Sequence, residues 1–391
     1  MRLLIAAGGT GGHIYPALAV ATALRRRPER TELVWVGGRR GLEDRLVPPA
    51  AIPLRRLALR SLRSVERDVH LVLDPVRLAL SFPQAVWLLL RERPAAIFTT
   101  GGYVAIPVLL AARLLRIPTV MWEGNVIPGR SVRATSRLAS ALAVSFATTC
   151  RALRAAGPCL VTGTPIRDTA GIDRDAARER LGLEPADRLI VIFGGSQAVR
   201  RLNAAVAGAL SELVERAVVI HIAGAEGMAD AAASRSALPE ALRARYRPAA
   251  FLGALLLDAL AAADLVVGRA GSSTLAESTA FGLPMIVIPY PHAGDHQRAN
   301  AAAVASAGAA TFIADEQLDA TSLLEAITIL DDPSGYAAMA AASRGLGRPG
   351  AADAAAEIVL ALAERRPLPD AAAVDRIAAL PLGSGAVARA G

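Results

Sequence analysis

The most concentrated group of chemistry-bearing residues lies near the start of the chain. Residues 8–13 read Gly-Gly-Thr-Gly-Gly-His and follow the apolar run 3–7, as in a turn from a buried strand into its helix. Glycines let the backbone approach a ligand closely, and the N–H groups at a helix start favour an anion. The run is neither the G-x-G-x-x-G dinucleotide fingerprint nor a P-loop, because no Gly-Lys-Ser/Thr follows. His13 therefore predicts acid–base chemistry on a phosphorylated or sugar-nucleotide substrate, and the alternative is a tightly packed turn with a capping histidine.

Two further glycine turns with hydroxyl residues occur in the second half. Residues 193–197 read Phe-Gly-Gly-Ser-Gln, so Ser196 either caps the following helix or holds a phosphate. Residues 268–277 contain three consecutive hydroxyl residues, which can donate to a pyrophosphate at a helix start. Glu277, one turn beyond Thr274, suits paired ribose hydroxyls. Alternatively, it completes a capping box with Thr274.

A third polar segment, residues 289–297, carries His292, Asp295 and His296. Two histidines with an aspartate suggest a metal site. A glycine lies between the two histidines and two prolines precede the pair, so two metal ligands on one helix are not expected. We expect this segment to hydrogen-bond a sugar or a phosphate.

The composition predicts a large folded protein of two domains. Its 391 residues exceed one typical core, and 53% apolar with 20% charged residues exclude wholesale disorder. The longest apolar runs, such as 104–112, are about half the length that spans a bilayer. No signal peptide opens the sequence, so we expect a cytosolic protein.

Two residue types narrow the chemistry further. All 43 basic residues are arginine, which excludes Schiff-base chemistry and pyridoxal phosphate on a lysine. Cys150 and Cys159 make no metal spacing and no disulfide framework, so we interpret them as incidental thiols in a reducing compartment.

Charge is distributed unevenly along the chain. Residues 1–160 carry 23 Arg against 9 Asp and Glu, whereas the remainder carries 20 Arg against 26 acids. A net +14 half beside a net −6 half indicates that the first half meets a polyanion, or that it simply has a solvated arginine-rich surface. Nucleic acid is a poor partner, because aromatic residues are only 4% and no base-stacking platform is evident.

Short apolar runs alternate with helix-length segments, which predicts two doubly wound, Rossmann-like α/β domains with parallel sheets. The predicted strands are 2–7, 32–36, 96–99, 119–122, 141–145, 189–193, 218–223, 249–252, 265–268, 285–288 and 310–313. The predicted domains are 1–162 and 163–365, with the last helix able to cross back, followed by a disordered Ala/Pro/Gly-rich tail at 366–391. Ligands bind at the carboxyl ends of parallel strands, so the glycine turns are expected to converge on one cleft between facing domains.

Five motifs in register resemble one enzyme family. They are residues 8–13, Thr-Gly-Gly-Tyr at 100–103, Glu123-x-Asn125, Gly-Gly-Ser-Gln at 194–197, and Gly-Ser-x-Thr-x-x-Glu at 271–277. Together they resemble the MurG family of UDP-GlcNAc transferases, which complete lipid II for peptidoglycan. The resemblance covers residues 1 to roughly 350 and implies a two-domain GT-B glycosyltransferase that holds UDP-GlcNAc mainly on its second domain.

The resemblance also implies a set of substrate-binding residues. Those expected at the donor sugar are Thr10, Gly11, Gly12, Asn125 and Gln297. Those expected at the diphosphate are Arg167, Ser196, Ser273 and Thr274. Leu252 is expected to stack in the uracil pocket and Glu277 to bind the ribose. This sequence departs from the family in having Trp122-Glu123-Gly124-Asn125 where His-Glu-Gln-Asn is frequent, which bears on acceptor recognition.

The implied reaction is an inverting transfer of GlcNAc to the 4-hydroxyl of a polyprenyl-pyrophosphate-linked muramyl peptide. That hydroxyl is a weak nucleophile, so a base is useful; His13 is the first candidate and Glu123 the second. Arg167 and the helix starts at Ser196 and Ser272 are expected to stabilise the departing UDP. The hypothesis requires no metal and no cofactor.

Residues 75–93 are expected to meet the membrane. Phe82, Trp87 and three leucines stand beside Arg77 and Arg91 there, which suits an interfacial patch on the anionic inner face of the cell membrane. The predicted localisation is peripheral, on the cytoplasmic side. An ordinary core helix with solvated arginines is the alternative.

Three other functions stay open. A transferase that moves a hexose from UDP to diacylglycerol shares the fold and the membrane requirement. A UDP-GlcNAc epimerase is disfavoured because it needs no basic lipid-facing half. A catalytically inactive sugar-nucleotide-binding regulator belongs to a different class, and only turnover distinguishes it.

Overall fold

The structure is a computed structural model that describes residues 1–27, 30–39, 41–60, 70–194, 200–253, 255–291 and 295–380. The chain divides into two compact units, Met1–Asp168 with Arg348–Gly391, and Thr169–Gly347. Each unit contains one parallel sheet with helices between its strands, so the predicted α/β class of two Rossmann-like domains is confirmed. Within the described ranges, no helix has both the length and the apolar character needed to cross a membrane.

The first unit begins with alternating strands and helices. In chain order these are β1 (Arg2–Ala6), α1 (Gly11–Arg25), β2 (Glu32–Arg39), α2 (Glu43–Leu46), β3 (Leu54–Arg60), α3 (His70–Glu92), β4 (Ala96–Thr99), α4 (Ala105–Leu114), β5 (Thr119–Glu123), α5 (Arg130–Thr135), β6 (Ala141–Val144), α6 (Ala147–Ala152) and β7 (Cys159–Val161).

The second unit continues the same alternation. Its elements are α7 (Arg174–Arg180), β8 (Leu189–Phe193), α8 (Arg200–Arg216), β9 (Val218–Ile222), α9 (Gly224–Ala237), α10 (Glu240–Arg243), β10 (Tyr246–Ala249), α11 (Leu255–Ala262), β11 (Leu265–Gly268), α12 (Ser272–Ala280), β12 (Met285–Val287), α13 (His296–Ser306), β13 (Ala310–Phe312), α14 (Ala320–Ile327) and α15 (Pro333–Leu346).

After Gly347 the chain returns to the first unit with α16 (Ala351–Ala363) and α17 (Ala371–Ala379). Helix α16 is buried against α1 and β4, and Ile358 and Val359 lie in the same apolar cluster as Ile14. The expected disordered tail is wrong for residues 366–380, because Asp370 caps α17 and Val374 and Ala378 are buried. Residues 381–391 lie outside the described residues.

The two sheets share one strand order, except that the first sheet has one more strand at its end. The first is β3-β2-β1-β4-β5-β6-β7 and the second is β10-β9-β8-β11-β12-β13. The chain direction of the crossovers reverses between β1 and β4, and again between β8 and β11. At such switch points the loops at the carboxyl ends of two neighbouring strands separate and leave a crevice for a ligand. The predicted glycine turns follow these four strands.

The two cysteines correct a prediction. Cys150 at α6 and Cys159 at the start of β7 form a disulfide, with their Cα atoms 5.8 Å apart, and are not separate thiols. The short connection between α6 and β7 brings the chain back beside β6, so the two residues meet although their spacing matches no disulfide framework.

Candidate functional site

His13 lies in the first turn of α1, at the switch point of the first sheet. Its Nδ1 is 2.8 Å from the carbonyl oxygen of Thr100, and the Thr100 hydroxyl donates to the His13 carbonyl at 3.0 Å. A carbonyl oxygen only accepts, so Nδ1 carries the proton and the lone pair of the neutral ring is on Nε2. The loops after β1 and β4 thus fix both the tautomer and the orientation of the ring.

The turn that precedes His13 is shaped as a helix start. Thr10 is the N-cap residue of α1 in an extended conformation, and its carbonyl accepts from the N–H groups of His13 and Ile14. Gly11 and Gly12 form the first helical turn, where N–H groups point outward along the helix axis. Gly12 is exposed and Thr10 and Gly11 are half-buried, so a ligand can reach this backbone.

Glu123 ends β5 and is almost fully buried. One carboxylate oxygen accepts from the backbone and the side-chain nitrogen of Asn125, at 2.9 and 2.8 Å. The other accepts from the Gly129 N–H at 2.8 Å. The Thr149 hydroxyl donates to the Asn125 carbonyl from α6. Glu123 therefore organises the loop that presents Asn125, which favours a positioning role over the predicted role of second candidate base.

Arg167 is half-buried and lies in the segment that closes the first unit. This segment follows β7 at the carboxyl edge of the first sheet, beyond Thr164, whose hydroxyl bonds that of Ser145 at 2.7 Å. The predicted diphosphate ligand is thus carried by the first unit, two residues before the second begins.

In the second unit, α12 carries three of the predicted ligands. Gly271 is its N-cap residue in an extended conformation, and Ser273 and Thr274 lie half-buried in the first turn. The alternative capping box is wrong, because Thr274 lies inside the helix and not at its N-cap position. Glu277 is buried one turn further on.

A buried ion pair supports the loop that leads into α12. Arg269 pairs with Asp315 at 2.5 Å, and its guanidinium lies 5.7 Å from the centre of the Tyr290 ring. The Asn300 side chain donates to the Ala270 carbonyl at 3.1 Å. These contacts hold the backbone before α12 from both sides. The sequence analysis assigned no role to Arg269 or Asn300.

Gln297 lies in the first turn of α13. Its side-chain oxygen accepts from the Tyr290 N–H at 2.9 Å, which directs the amide nitrogen away from that strand end as a donor. Gln297, which is predicted to bind the sugar, is therefore held by Tyr290, whose ring also lies beside the Arg269 guanidinium. Within the residues that the structure describes, no cluster of three His, Cys, Asp or Glu side chains is placed to hold a metal ion.

Leu252 is half-buried in the turn between β10 and α11, where its carbonyl accepts from the Leu255 N–H. Its neighbour Phe251, which sequence reasoning missed, is 77% exposed. An aromatic ring beside an apolar side chain at a strand's carboxyl end suits a planar base. Ser196 and His292 lie outside the described residues.

A buried polar network crosses the second sheet. His221 Nδ1 is 2.7 Å from the Tyr246 hydroxyl, and Nε2 is 3.1 Å from the side-chain oxygen of Asn203. Asn203 donates in turn to the Ala223 carbonyl. Burial lowers the pKa of His221 to about 4 and raises the pKa of Tyr246 to about 12, so both groups stay neutral. The network ties α8, which follows the motif at residues 194–197 in the chain, to β9 and β10.

Comparison with known proteins identifies the family of this chain. Residues 3–144 match the model of the glycosyltransferase family 28 N-terminal domain, and residues 189–358 match that of its C-terminal domain. The UDP-N-acetylglucosamine–N-acetylmuramyl-(pentapeptide) pyrophosphoryl-undecaprenol N-acetylglucosamine transferase of Desulforudis audaxviator is 38% identical, over 93% of this chain and 99% of its own length.

Two further proteins extend the likeness. The enzyme of the same name from Alkalilimnicola ehrlichii is 41% identical, over 92% of this chain and 98% of its own length. The crystal structure of Acinetobacter baumannii MurG matches with a TM-score of 0.74 at 27% identity, over 92% of this chain and 99% of that one. The chain therefore belongs to the MurG family, the UDP-N-acetylglucosamine–N-acetylmuramyl-(pentapeptide) pyrophosphoryl-undecaprenol N-acetylglucosamine transferases.

Proposed function

We propose that this chain transfers GlcNAc from UDP-GlcNAc to the 4-hydroxyl of N-acetylmuramyl-(pentapeptide) pyrophosphoryl-undecaprenol, with inversion at the sugar carbon. The relatives that this chain matches over nearly their whole length are named for the transfer of GlcNAc to this lipid. The observation that carries the proposal in this molecule is the 2.8 Å contact between His13 Nδ1 and the Thr100 carbonyl, which fixes the orientation of the imidazole at the first switch point.

In the proposed step, the acceptor oxygen forms a bond to C1 of GlcNAc while the bond from C1 to the diphosphate oxygen breaks. The leaving UDP keeps that electron pair. His13 Nε2 takes the proton of the acceptor hydroxyl, because Nδ1 already donates to Thr100. Glu123 holds the loop of Asn125, and Asn125 binds the GlcNAc.

The charge of the departing UDP needs stabilisation by donors and cations. We assign this to Arg167 and to the first turn of α12, where Ser273 and Thr274 supply hydroxyls beside the helix N–H groups. Thr10, Gly11 and Gly12 supply the corresponding helix start at the donor sugar.

The remaining ligands divide the nucleotide-sugar between them. Glu277 takes the ribose hydroxyls, Gln297 donates to the sugar, and Leu252 packs on the uracil with Phe251 as a second wall. Ser196 is assigned to the diphosphate from the sequence alone.

The acceptor is a membrane lipid, and α3 offers a surface for reaching it. Leu80, Pro83, Trp87 and Leu90 are exposed at a spacing that places them on one helix face. Trp87 is 59% exposed, and the Arg91 guanidinium lies 5.2 Å from the centre of its ring. We propose that this outward stripe of α3 binds the anionic cytoplasmic face of the membrane as a peripheral anchor.

The test is transfer of labelled GlcNAc from UDP-GlcNAc to a short-chain lipid I analogue, with the product identified by mass. Replacing His13 by Ala is expected to lower kcat by roughly 100-fold or more, because general base catalysis contributes about that factor. A His13→Ala variant that turns over at nearly the wild-type rate removes His13 from the role of base. A wild-type chain that forms no product refutes the proposed function.

A further inference from the structure

One buried carboxylate is absent from the proposed reaction. Glu43 opens α2, four residues after the end of β2, and is 0% exposed. A buried ionisable group is costly unless its oxygens accept hydrogen bonds, so its partners indicate what it stabilises.

Three segments of the first unit donate to this carboxylate. Oε2 accepts from the Gly9 N–H at 3.0 Å, and Oε1 accepts from the Gly38 N–H at 2.8 Å and from the Tyr103 hydroxyl at 3.3 Å. Gly9 and Tyr103 follow β1 and β4, and Gly38 lies near the end of β2; these three strands are neighbours in the sheet. Burial, with the Glu43 charge as a smaller cause, raises the pKa of Tyr103, so its hydroxyl stays protonated as a donor.

The surrounding glycines leave room only for this side chain. A Cβ atom at Gly8 would lie 2.7 Å from Glu43 Oε1, and one at Gly37 would lie 2.8 Å from its Cγ. Both are closer than real Cβ atoms come to other atoms. The glycine-rich turn is therefore packed against the carboxylate as well as shaped for a ligand.

Both segments that hold His13 are attached to Glu43. Gly9 directly precedes Thr10, the N-cap residue of the helix that carries His13. Tyr103 stands three residues after Thr100, whose carbonyl accepts from the ring. The carboxylate thus holds the backbone before the imidazole through Gly9 and the segment after Thr100 through the Tyr103 hydroxyl.

We propose that Glu43 is a positioning residue that sets the geometry of His13 and of the turn at residues 8–13. This role rests on the proposed function, in which His13 is the base. Misplacing a reacting group by about 1 Å costs roughly 100-fold in rate. Loss of the Glu43 carboxylate is therefore expected to lower kcat as well as to loosen the turn.

The variant Glu43→Gln tests this with little change in volume. One amide oxygen can still accept from Gly38, but the amide NH2 then faces the Gly9 N–H, donor against donor. Glu92→Gln is the matched control, because Glu92 is also buried in the first unit but pairs with Arg2 and Arg55 at the amino-terminal edge of the sheet. We expect kcat to fall roughly 10- to 100-fold in Glu43→Gln and less than threefold in Glu92→Gln.

A double-mutant cycle separates positioning from mere structural loss. In a His13→Ala background, Glu43→Gln is expected to lower kcat by a smaller factor than in wild type, because the base that it positions is gone and only the rest of the turn can still be displaced. An equal fall in both backgrounds, or a wild-type kcat in Glu43→Gln, overturns the proposal.

Amide hydrogen exchange supplies a readout that does not depend on activity. Exchange in the peptide covering residues 8–13 is expected to rise about tenfold in Glu43→Gln and not in Glu92→Gln. Unchanged protection there overturns the anchoring. If the wild-type chain has no transferase activity, the proposed function fails while this exchange measurement still decides whether Glu43 holds the turn.

Discussion

The outward stripe of α3 allows a quantitative prediction about membrane binding. Replacing Trp87 by Gln removes its most exposed apolar side chain and leaves the buried face of the helix, with Ala85, Leu88 and Leu89, unchanged. The change therefore alters the surface without altering the core of the unit.

The size of the effect follows from the exposed area. A Trp side chain presents up to about 250 Å², so 59% exposure leaves roughly 150 Å² of Trp87 in water. At 25 cal/mol per Å², full burial in lipid is worth about 4 kcal/mol, and burial of half of it about 2 kcal/mol. The second value corresponds to a loss of roughly 25-fold in vesicle affinity.

The assay is co-sedimentation with vesicles that contain phosphatidylglycerol, beside vesicles of phosphatidylcholine alone. Leu346→Gln, an exposed leucine on α15 of the second unit, is the control and is expected to bind as wild type does. Arg91→Gln is expected to weaken binding about fivefold at low salt, and this difference is expected to vanish at high salt. Turnover of a short-chain soluble acceptor is expected to be unchanged in Trp87→Gln.

Equal vesicle affinity for Trp87→Gln and wild type would refute the assignment of this stripe. Binding that depends on neither anionic lipid nor salt would refute its electrostatic part. The first outcome would leave α3 as an ordinary core helix with solvated arginines.

Two further predictions concern the second unit. Asp315→Asn removes the carboxylate that pairs with the buried Arg269, and it is expected to destabilise the protein by about 3 kcal/mol and to weaken UDP-GlcNAc binding. The control Asp331→Asn, at an exposed carboxylate, is expected to lower the free energy of unfolding by less than about 1 kcal/mol. Both are measured by urea unfolding, and equal unfolding midpoints for the two variants would contradict the prediction. The pKa of His221 is about 4 in the folded state, so the unfolded chain binds more protons between pH 6.5 and 4, and stability falls as pH falls through that window. Wild type is expected to lose about 2 kcal/mol more than His221→Asn between pH 7 and pH 5, and an identical loss would show that His221 is not buried as a neutral ring.

The sequence predicted the central strands well, because each is a short apolar run and several of them end in a glycine turn. The edge strands β3 and β7 were missed, whereas the edge strand β13 was predicted. In β3 the buried Leu57 and Leu59 alternate with the exposed Arg56 and the half-buried Ala58, since an edge strand has one face in solvent. The strand predicted at 249–252 is found at Tyr246–Ala249, because the apolar pair Phe251 and Leu252 belongs to the following turn.

Long-range partners account for the rest of what sequence could not supply. Glu43 meets Gly9 and Tyr103, which are 34 and 60 residues away, and no local pattern marks it. The return of α16 to the first unit likewise depends on packing against α1, more than 300 residues earlier. The motif residues themselves were predictable, because strand ends and helix starts bring them to the switch points. Their roles as ligands stay predictions.

UDP release from UDP-GlcNAc is the most direct test of the proposed transfer. It is measured without acceptor, with a short-chain lipid I analogue, and with diacylglycerol. The account predicts release that depends on the lipid I analogue and is absent with diacylglycerol. Release driven by diacylglycerol, or UDP-GlcNAc binding with no release under any condition, would contradict it.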